Sequence, residues 1–170
     1  GLVVYSGEPY LVSPLTDDAN TIAGMVPNLS PSIMPFQGND LAAALKMAAR
    51  LLQQSGFNKG QIIVLAASSA SEEAIAEAKK LAEQGITTSV LGVGTGGNAP
   101  MTLSNGQFVT DKKGAIVFNR LDMANLQDLA QAGGGKYAAF SNNDSDIKQV
   151  LQIESSSMSG LEATKDKATT

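Results

Sequence analysis

The sequence contains neither cysteine nor histidine. Without cysteine the chain forms no disulfides and offers no thiolate ligands, and without histidine it lacks the commonest transition-metal ligand and general base. Sulfur-based zinc sites and catalysis that depends on a histidine base are therefore excluded. Any metal ion bound by this chain must be held by oxygen atoms.

Basic clusters and long apolar runs are missing as well. The chain has 12 Lys and Arg against 16 Asp and Glu, a net charge of −4, and no run of basic residues that could follow a phosphate backbone. Nucleic acid is therefore not an expected partner. No apolar stretch approaches the roughly 20 residues of a membrane-spanning helix, and we expect no signal peptide at the start of the chain.

What is present is the composition of one globular domain. The 170 residues are 43% hydrophobic, with small residues dominating the apolar set. Apolar periodicity and turn residues alternate along the chain between strand-like and helix-like segments. Strands are predicted over 2–5, 10–12, 62–67, 87–91 and 136–140, and helices after Asp17-Asp18, from Asn39 or Asp40 to Gly56, and over 69–85, 122–133 and 144–153.

The run Ile62 to Ala67 is uninterrupted by polar residues, which is typical of a parallel strand buried on both faces. We expect it in the middle of the sheet. A capping box formed by Ser69 and Glu72 is predicted to begin the next helix, and the strand–helix–strand order favours a right-handed crossover. The predicted fold is a three-layer, doubly wound α/β domain, with a mostly parallel sheet flanked by helices.

Between residues 100 and 120 the pattern changes to paired short strands, with turn signals at Asn105-Gly106 and Lys113-Gly114. This predicts an inserted β-hairpin that exposes Phe108, Val109 and Ile116. Functional contacts concentrate on such excursions, so these residues are candidates for partner recognition, although packing back onto the domain is the alternative. Residues 155–170 are small and polar without periodicity, which predicts a flexible tail after a domain of residues 1–154.

Several strings together resemble a known family. They are Gly1 to Gly7, Pro14-Leu15-Thr16-Asp17-Asp18, Met34-Pro35, Gln37 to Leu45 and Gly92-Val93-Gly94-Thr95. These strings, with the hairpin that follows the last of them, look like a von Willebrand factor type A (integrin I-like) domain of the Bat aerotolerance type. The resemblance runs from Leu2 to about Ile153. It implies that the family's first strand and helix are missing, because they would precede Gly1.

The family holds a divalent cation with an Asp-x-Ser-x-Ser loop, a Thr in a second loop and an Asp after the central strand. Here the first loop would precede Gly1, Asn39 stands in place of the Thr, and Ala66-Ala67-Ser68 replaces the usual Thr-Asp-Gly. We therefore expect a degenerate site with no metal ion and no cofactor. A crevice formed by Asn39, Asp40, Ala67, Ser68 and Ser69 remains as a candidate binding site, at the strand ends where open α/β sheets bind ligands.

The resemblance implies a non-catalytic protein–protein interaction module of a bacterial envelope or stress-tolerance protein. A MoxR-type ATPase or other Bat-type envelope proteins are the implied partners. The full-length protein is expected to be tethered to the inner membrane, with this domain soluble and the periplasmic side favoured over the cytoplasm. Because a missing first strand leaves exposed edges, we also expect a strand-exchanged or edge-paired homodimer.

The alternative is a small-molecule-binding or hydrolytic α/β domain that uses the crevice from Asn39 to Ser69. A nucleophilic serine needs a base beside it, and the chain has no histidine to serve as one. Helix capping alone gives a sufficient explanation for Asn39, Asp40 and the serine cluster. The interaction module is therefore the favoured hypothesis for the function of this chain.

Overall fold

The structure is a computed structural model that describes residues 1–94, 99–100, 102, 106–110, 114–116, 118–119 and 121–151. Strands and helices alternate through most of this part of the chain, as the sequence predicts. In chain order the elements are β1 (Leu2–Tyr5), β2 (Pro9–Ser13), α1 (Ala19–Met25), two short 3-10 turns (Val26–Asn28 and Pro31–Ile33), α2 (Leu41–Gln54), β3 (Gly60–Ala66), α3 (Glu72–Glu83), β4 (Ile86–Gly92), β5 (Ala99–Pro100), β6 (Phe118–Asn119), α4 (Met123–Ala132), β7 (Gly134–Ala139) and α5 (Ser145–Leu151).

The main sheet is parallel, with the strand order β3-β4-β7. β4 lies in the middle and its residues are almost all buried. The prediction that the apolar run of β3 lies in the middle was wrong for the described sheet, because no described strand pairs with the second edge of β3. Leu65 on this strand is 62% exposed. An apolar run indicates that a strand can be buried, but it does not predict which strands or helices cover it.

Helices cover both faces of the sheet, which confirms the predicted three-layer α/β fold. The large core cluster joins Val64 and Val90 to buried side chains of α2, α3 and α4 on one face. On the other face Leu91 and Ala138 pack against Val150 of α5. Side chains of a strand alternate between faces, so Val90 and Leu91 enter different layers.

Side-chain caps fix where the helices begin. Asp40 caps α2 by accepting the N–H of Ala43 at 2.9 Å, and Asp122 caps α4 in the same way. The predicted capping box of Ser69 and Glu72 was wrong. The cap of α3 is Ser71, whose Oγ accepts the N–H of Ala74 at 3.2 Å, so the helix begins two residues later than the box requires.

The helix predicted over 122–133 is observed as α4. Gly133 is its carboxyl-terminal cap, and Gly134 and Gly135 already belong to β7. A Cβ at position 135 would lie 2.0 Å from the carbonyl oxygen of Thr88. Glycine at this position therefore permits the backbones of β7 and β4 to approach each other closely.

The strands predicted over 2–5 and 10–12 are observed as β1 and β2, which form an antiparallel hairpin that packs on α2. Two backbone bonds fix the end of this hairpin to the loop before α2: Gly7 N–H donates to Phe36 O at 3.1 Å and Asp40 N–H donates to Ser6 O at 2.6 Å. In the described part of the chain, β1 pairs only with β2. The hairpin is thus joined to the domain through α2 and not through the main sheet.

The predicted excursion between residues 100 and 120 is observed in part. β5 pairs with β6, and antiparallel bridges join Thr102 to Phe108 and Thr110 to Ile116. Gly106 and Gly114 both have φ of +81°, in agreement with the predicted turns. Several residues of the excursion, the end of the last predicted helix at Ile153 and the predicted tail 155–170 lie outside the described residues.

Candidate functional site

The carboxyl ends of the main strands lie side by side at one edge of the sheet. Ala66 of β3 is in register with Gly92 of β4, which is in register with Ala139 of β7. The residues that follow continue the contact: Val93 N–H donates to Ala66 O and Phe140 N–H donates to Gly92 O, both at 2.8 Å. This alignment brings the loops after the three strands together, as parallel topology requires.

Three of the predicted crevice residues are in direct contact at this edge. The side-chain amide of Asn39 donates to the Ser68 Oγ at 3.0 Å and to the Ser69 carbonyl oxygen at 2.9 Å. A carbonyl can only accept a hydrogen bond, so the amide nitrogen, and not the amide oxygen, faces the loop after β3. Asn39 therefore joins the start of α2 to the end of β3.

The other two predicted residues have different surroundings. Asp40 directs one carboxylate oxygen to the first turn of α2, where it caps the helix. Ala67 is exposed between the end of β3 and Ser68, and its methyl group offers no polar atom. The polar centre of the crevice thus consists of Asn39, Ser68 and Ser69, with Asp40 beside it.

Exposed apolar side chains also lie near the ends of these strands, and sequence reasoning missed them. Phe140 directly follows β7 and is 57% exposed, and Val93 directly follows β4. Phe36, 55% exposed, lies beside the end of β1, where its carbonyl oxygen accepts the Ser6 hydroxyl at 2.6 Å. We refer to Phe36, Asn39, Ser68, Val93 and Phe140 as the carboxyl-edge surface. Ser68 and Val93 follow strands that the sequence predicts, but the exposure of Phe36, Val93 and Phe140 could not be read from the sequence.

A second missed residue supports the loop after β3. Asn125 in the first turn of α4 accepts the N–H of Ala70 at 2.7 Å and donates to the carbonyl oxygen of Ala70 at 3.1 Å. This two-way contact fixes the loop that carries Ser68 and Ser69. No local sequence pattern predicts this contact, because Asn125 and Ala70 are 55 residues apart and meet only when α4 packs on the sheet.

The second predicted recognition site lies on the excursion that contains β5 and β6. Phe108 and Ile116 are exposed, whereas Val109 between the bridges is half-buried. Phe108 and Ile116 each belong to an antiparallel bridge, so both lie on segments whose backbones pair with another segment.

Comparison with known proteins identifies the family. The sequence profile of the von Willebrand factor type A domain matches residues 1–87. An aerotolerance-related membrane protein from Bacteroides fragilis superposes with a TM-score of 0.78 at 30% identity, over 88% of this chain and 75% of that chain. BatB from Bacteroides thetaiotaomicron gives 0.78 at 31% identity, over 88% and 74%. No curated protein shows a significant match.

The chain therefore belongs to the von Willebrand factor type A domain family, within the Bat aerotolerance subfamily. This membership supports a general role as a protein-interaction module. Among the described residues, no helix has the length and apolar character needed to cross a membrane.

Proposed function

We propose that this domain binds a partner protein through the carboxyl-edge surface, without a metal ion and without catalysing a reaction. The observation that carries the proposal is the contact of Asn39 with Ser68 and Ser69 at an edge of the sheet that also has the exposed side chains of Phe36, Val93 and Phe140. Exposed aromatic side chains are enriched at protein recognition sites, which also contain hydrogen-bonding groups. The family's role as an interaction module supports the same reading.

The donor set at this edge supports binding without a metal ion. Mg²⁺ needs near-octahedral oxygen ligation, usually including carboxylates. Asn39 turns an amide nitrogen toward Ser68, Ala67 provides no ligand, and Asp40 already uses one oxygen to cap α2. Within the described ranges there is no group of three or more Asp or Glu residues close enough together to hold an ion. The described residues at this edge therefore do not provide the oxygen ligands that the family's cation requires.

The arrangement of the serines supports a non-catalytic role. The Ser68 hydroxyl accepts a hydrogen bond from an amide, which does not remove its proton and so does not activate it as a nucleophile. The two cavities on the β1 side of the domain are lined by residues other than Asn39, Ser68 and Ser69. No specific observation therefore favours a hydrolytic or small-molecule site at the crevice.

The proposed partner and location are extensions from the family. One similar structure is described as an aerotolerance-related membrane protein. We extend this to a full-length protein tethered to the bacterial inner membrane, with this domain on the periplasmic side. Other Bat-type envelope proteins or a MoxR-type ATPase are the proposed partners.

Capture from a bacterial envelope extract tests the proposal. We expect an immobilised domain to retain its partner equally well with EDTA and with Mg²⁺. The double variant Phe36→Ser/Phe140→Ser should weaken capture by about tenfold or more, because aromatic anchors contribute a large share of interface energy. Asn39→Ala should also weaken capture, since it releases the loop after β3.

Phe57→Ser is the matched control, because Phe57 is 55% exposed but follows α2 at the opposite end of the sheet. Equal capture by all variants would exclude the carboxyl-edge surface, and capture that requires Mg²⁺ would overturn metal independence.

A further inference from the structure

Four helices begin at the carboxyl edge of the sheet, and each begins with acidic residues. Asp40 caps α2, Glu72 and Glu73 stand in the first turn of α3, Asp122 caps α4, and Asp144 directly precedes α5. All five residues are exposed. Negative charge is favourable at the start of a helix, and parallel topology brings these helix starts to one edge.

Hydrogen bonds place these acids close to the polar centre of the crevice. Asp40 directly follows Asn39, whose amide binds the loop after β3. Asn125 binds the same loop through Ala70, and its own N–H donates to the Asp122 carboxylate at 3.1 Å. The first turn of α3 follows this loop directly. The starts of α2, α3 and α4 are therefore joined through one short loop.

Basic residues do not offset this charge. Of the residues that the structure describes, no Lys or Arg stands in the first turn of α2, α3 or α4, or in the loops that follow β3 and β7. Lys46 is in the second turn of α2 and lies 4.0 Å from Glu77, and Lys148 is one turn into α5. The described part of the carboxyl edge therefore has an excess of negative charge.

Two side-chain oxygens at the crevice are free to accept further hydrogen bonds. The Asn39 amide nitrogen donates to Ser68 and Ser69, whereas its Oδ1 accepts from no other described residue. Asp40 caps α2 with Oδ1, and no described residue donates to its Oδ2. An amide oxygen and a carboxylate oxygen can only accept hydrogen bonds. The chemistry of this pair therefore favours a partner group that donates.

We infer that the partner protein contacts the carboxyl-edge surface with an arginine in an apolar segment, whose guanidinium donates to Asn39 Oδ1 and Asp40 Oδ2. This inference rests on the proposed function of the same surface. Arginine has five donors in a planar fork and stacks on aromatic rings, and the exposed Phe36 stands three residues before Asn39 in the same loop. The acids at this edge attract a cationic partner and repel an acidic one.

Selection of a displayed random-peptide library on the immobilised domain tests this inference. We expect the retained peptides to be enriched in Arg beside apolar residues and depleted of Asp and Glu. The double variant Asp40→Asn/Asp122→Asn removes two charges but keeps side-chain oxygens that cap α2 and α4. Synthetic copies of the retained peptides, measured by fluorescence anisotropy, should bind this variant about tenfold more weakly, because a charge-assisted hydrogen bond is lost.

Glu83→Gln/Asp128→Asn is the matched control. It removes the same number of charges, from the last residue of α3 and from the second turn of α4, and should leave binding unchanged. Replacing the Arg of a retained peptide by Gln tests the same contact on an unaltered domain, and should weaken binding by a similar factor.

Retained peptides that are acidic or have no cation would overturn the inference, as would a selection that retains no peptide. Peptides that bind Asp40→Asn/Asp122→Asn as well as the wild type but do not bind Phe36→Ser/Phe140→Ser would exclude the arginine contact and leave the proposed function in place. Peptides whose binding changes in neither variant would count against both the inference and the proposed function.

Discussion

Asn39 and Asp40 are neighbours in the sequence but have different tasks at the carboxyl edge. Asp40 uses its carboxylate to begin α2, whereas Asn39 joins that helix to the loop after β3 through two hydrogen bonds. The sequence allowed capping as an explanation for both residues. The structure assigns capping to Asp40, which leaves the Asn39 amide as the group that organises the crevice.

Among the glycines of the described part of the chain, Gly135 leaves the least space for a side chain. Gly135→Ala would place a methyl carbon 2.0 Å from the Thr88 carbonyl oxygen, so β7 and β4 must separate. We expect the free energy of unfolding to fall by about 3 kcal/mol or more, as for severe overpacking. Urea denaturation followed by circular dichroism measures this change.

Gly24→Ala is the matched control for that substitution, since a Cβ there meets nothing within 4 Å and the residue lies in α1. It should raise stability by roughly 0.5–1 kcal/mol, because alanine favours helix over glycine. If Gly135→Ala lowered the free energy of unfolding no more than Gly24→Ala does, β4 and β7 would not approach each other as closely as described.

At the scale of elements, the helices were largely predictable and the order of strands was not. Asp40 and Asp122 cap helices whose apolar faces were visible as local periodicity. Sheet neighbours depend on contacts between distant segments, and the apolar run of β3 is the same whether the strand is central or at an edge. The contact of Asn39 with the loop after β3 could be expected from parallel topology, but the contact of Asn125 with Ala70 could not.

The carboxyl-terminal helix α5 depends on one buried carboxylate at its start. Asp146 is 4% exposed and accepts the N–H of Ser141 at 2.8 Å. This hydrogen bond is the main reason why the pKa of Asp146 lies below its ordinary value. Because the folded-state pKa is the lower one, the stabilisation is fully present above the unfolded-state pKa of about 4. It is lost as the pH falls through the folded-state pKa.

We therefore expect Asp146→Asn to lower the free energy of unfolding near about pH 7, with a difference from wild type that shrinks as the pH falls below about 4. Urea denaturation over a pH series measures this difference. Asp128→Asn, on the exposed face of α4, should change stability little across the same range. A difference for Asp146→Asn that is constant with pH would show that loss of the charge is not the cause.

At the scale of the whole molecule, residues 1–170 have two facing strand edges and an apolar groove between them. Unpaired, uncharged edges are sites where chains associate and aggregate. The association of residues 1–170 in solution should therefore depend more on the edge of β3 than on the net charge of the molecule.

Leu65→Lys should reduce the concentration-dependent association of residues 1–170, because a charged side chain on an edge strand opposes pairing with another chain. Light scattering over a dilution series measures the effect. Ile147→Lys adds the same charge at an exposed apolar position of α5 and should change association much less. If both variants reduced association equally, the cause of association would be the low charge of the molecule and not the edge of β3.

The attachment of the β1–β2 hairpin has a mechanical consequence. Backbone bonds at Ser6 and Gly7 and packing on α2 hold the hairpin, without a ladder of bonds to β3 in the described part of the chain. Tension applied at the amino terminus would load the β1–β2 ladder and then these few bonds, and would separate the hairpin from α2 while β3, β4 and β7 remain folded. A pull on this end would therefore open the interior of the domain long before it unravels the rest.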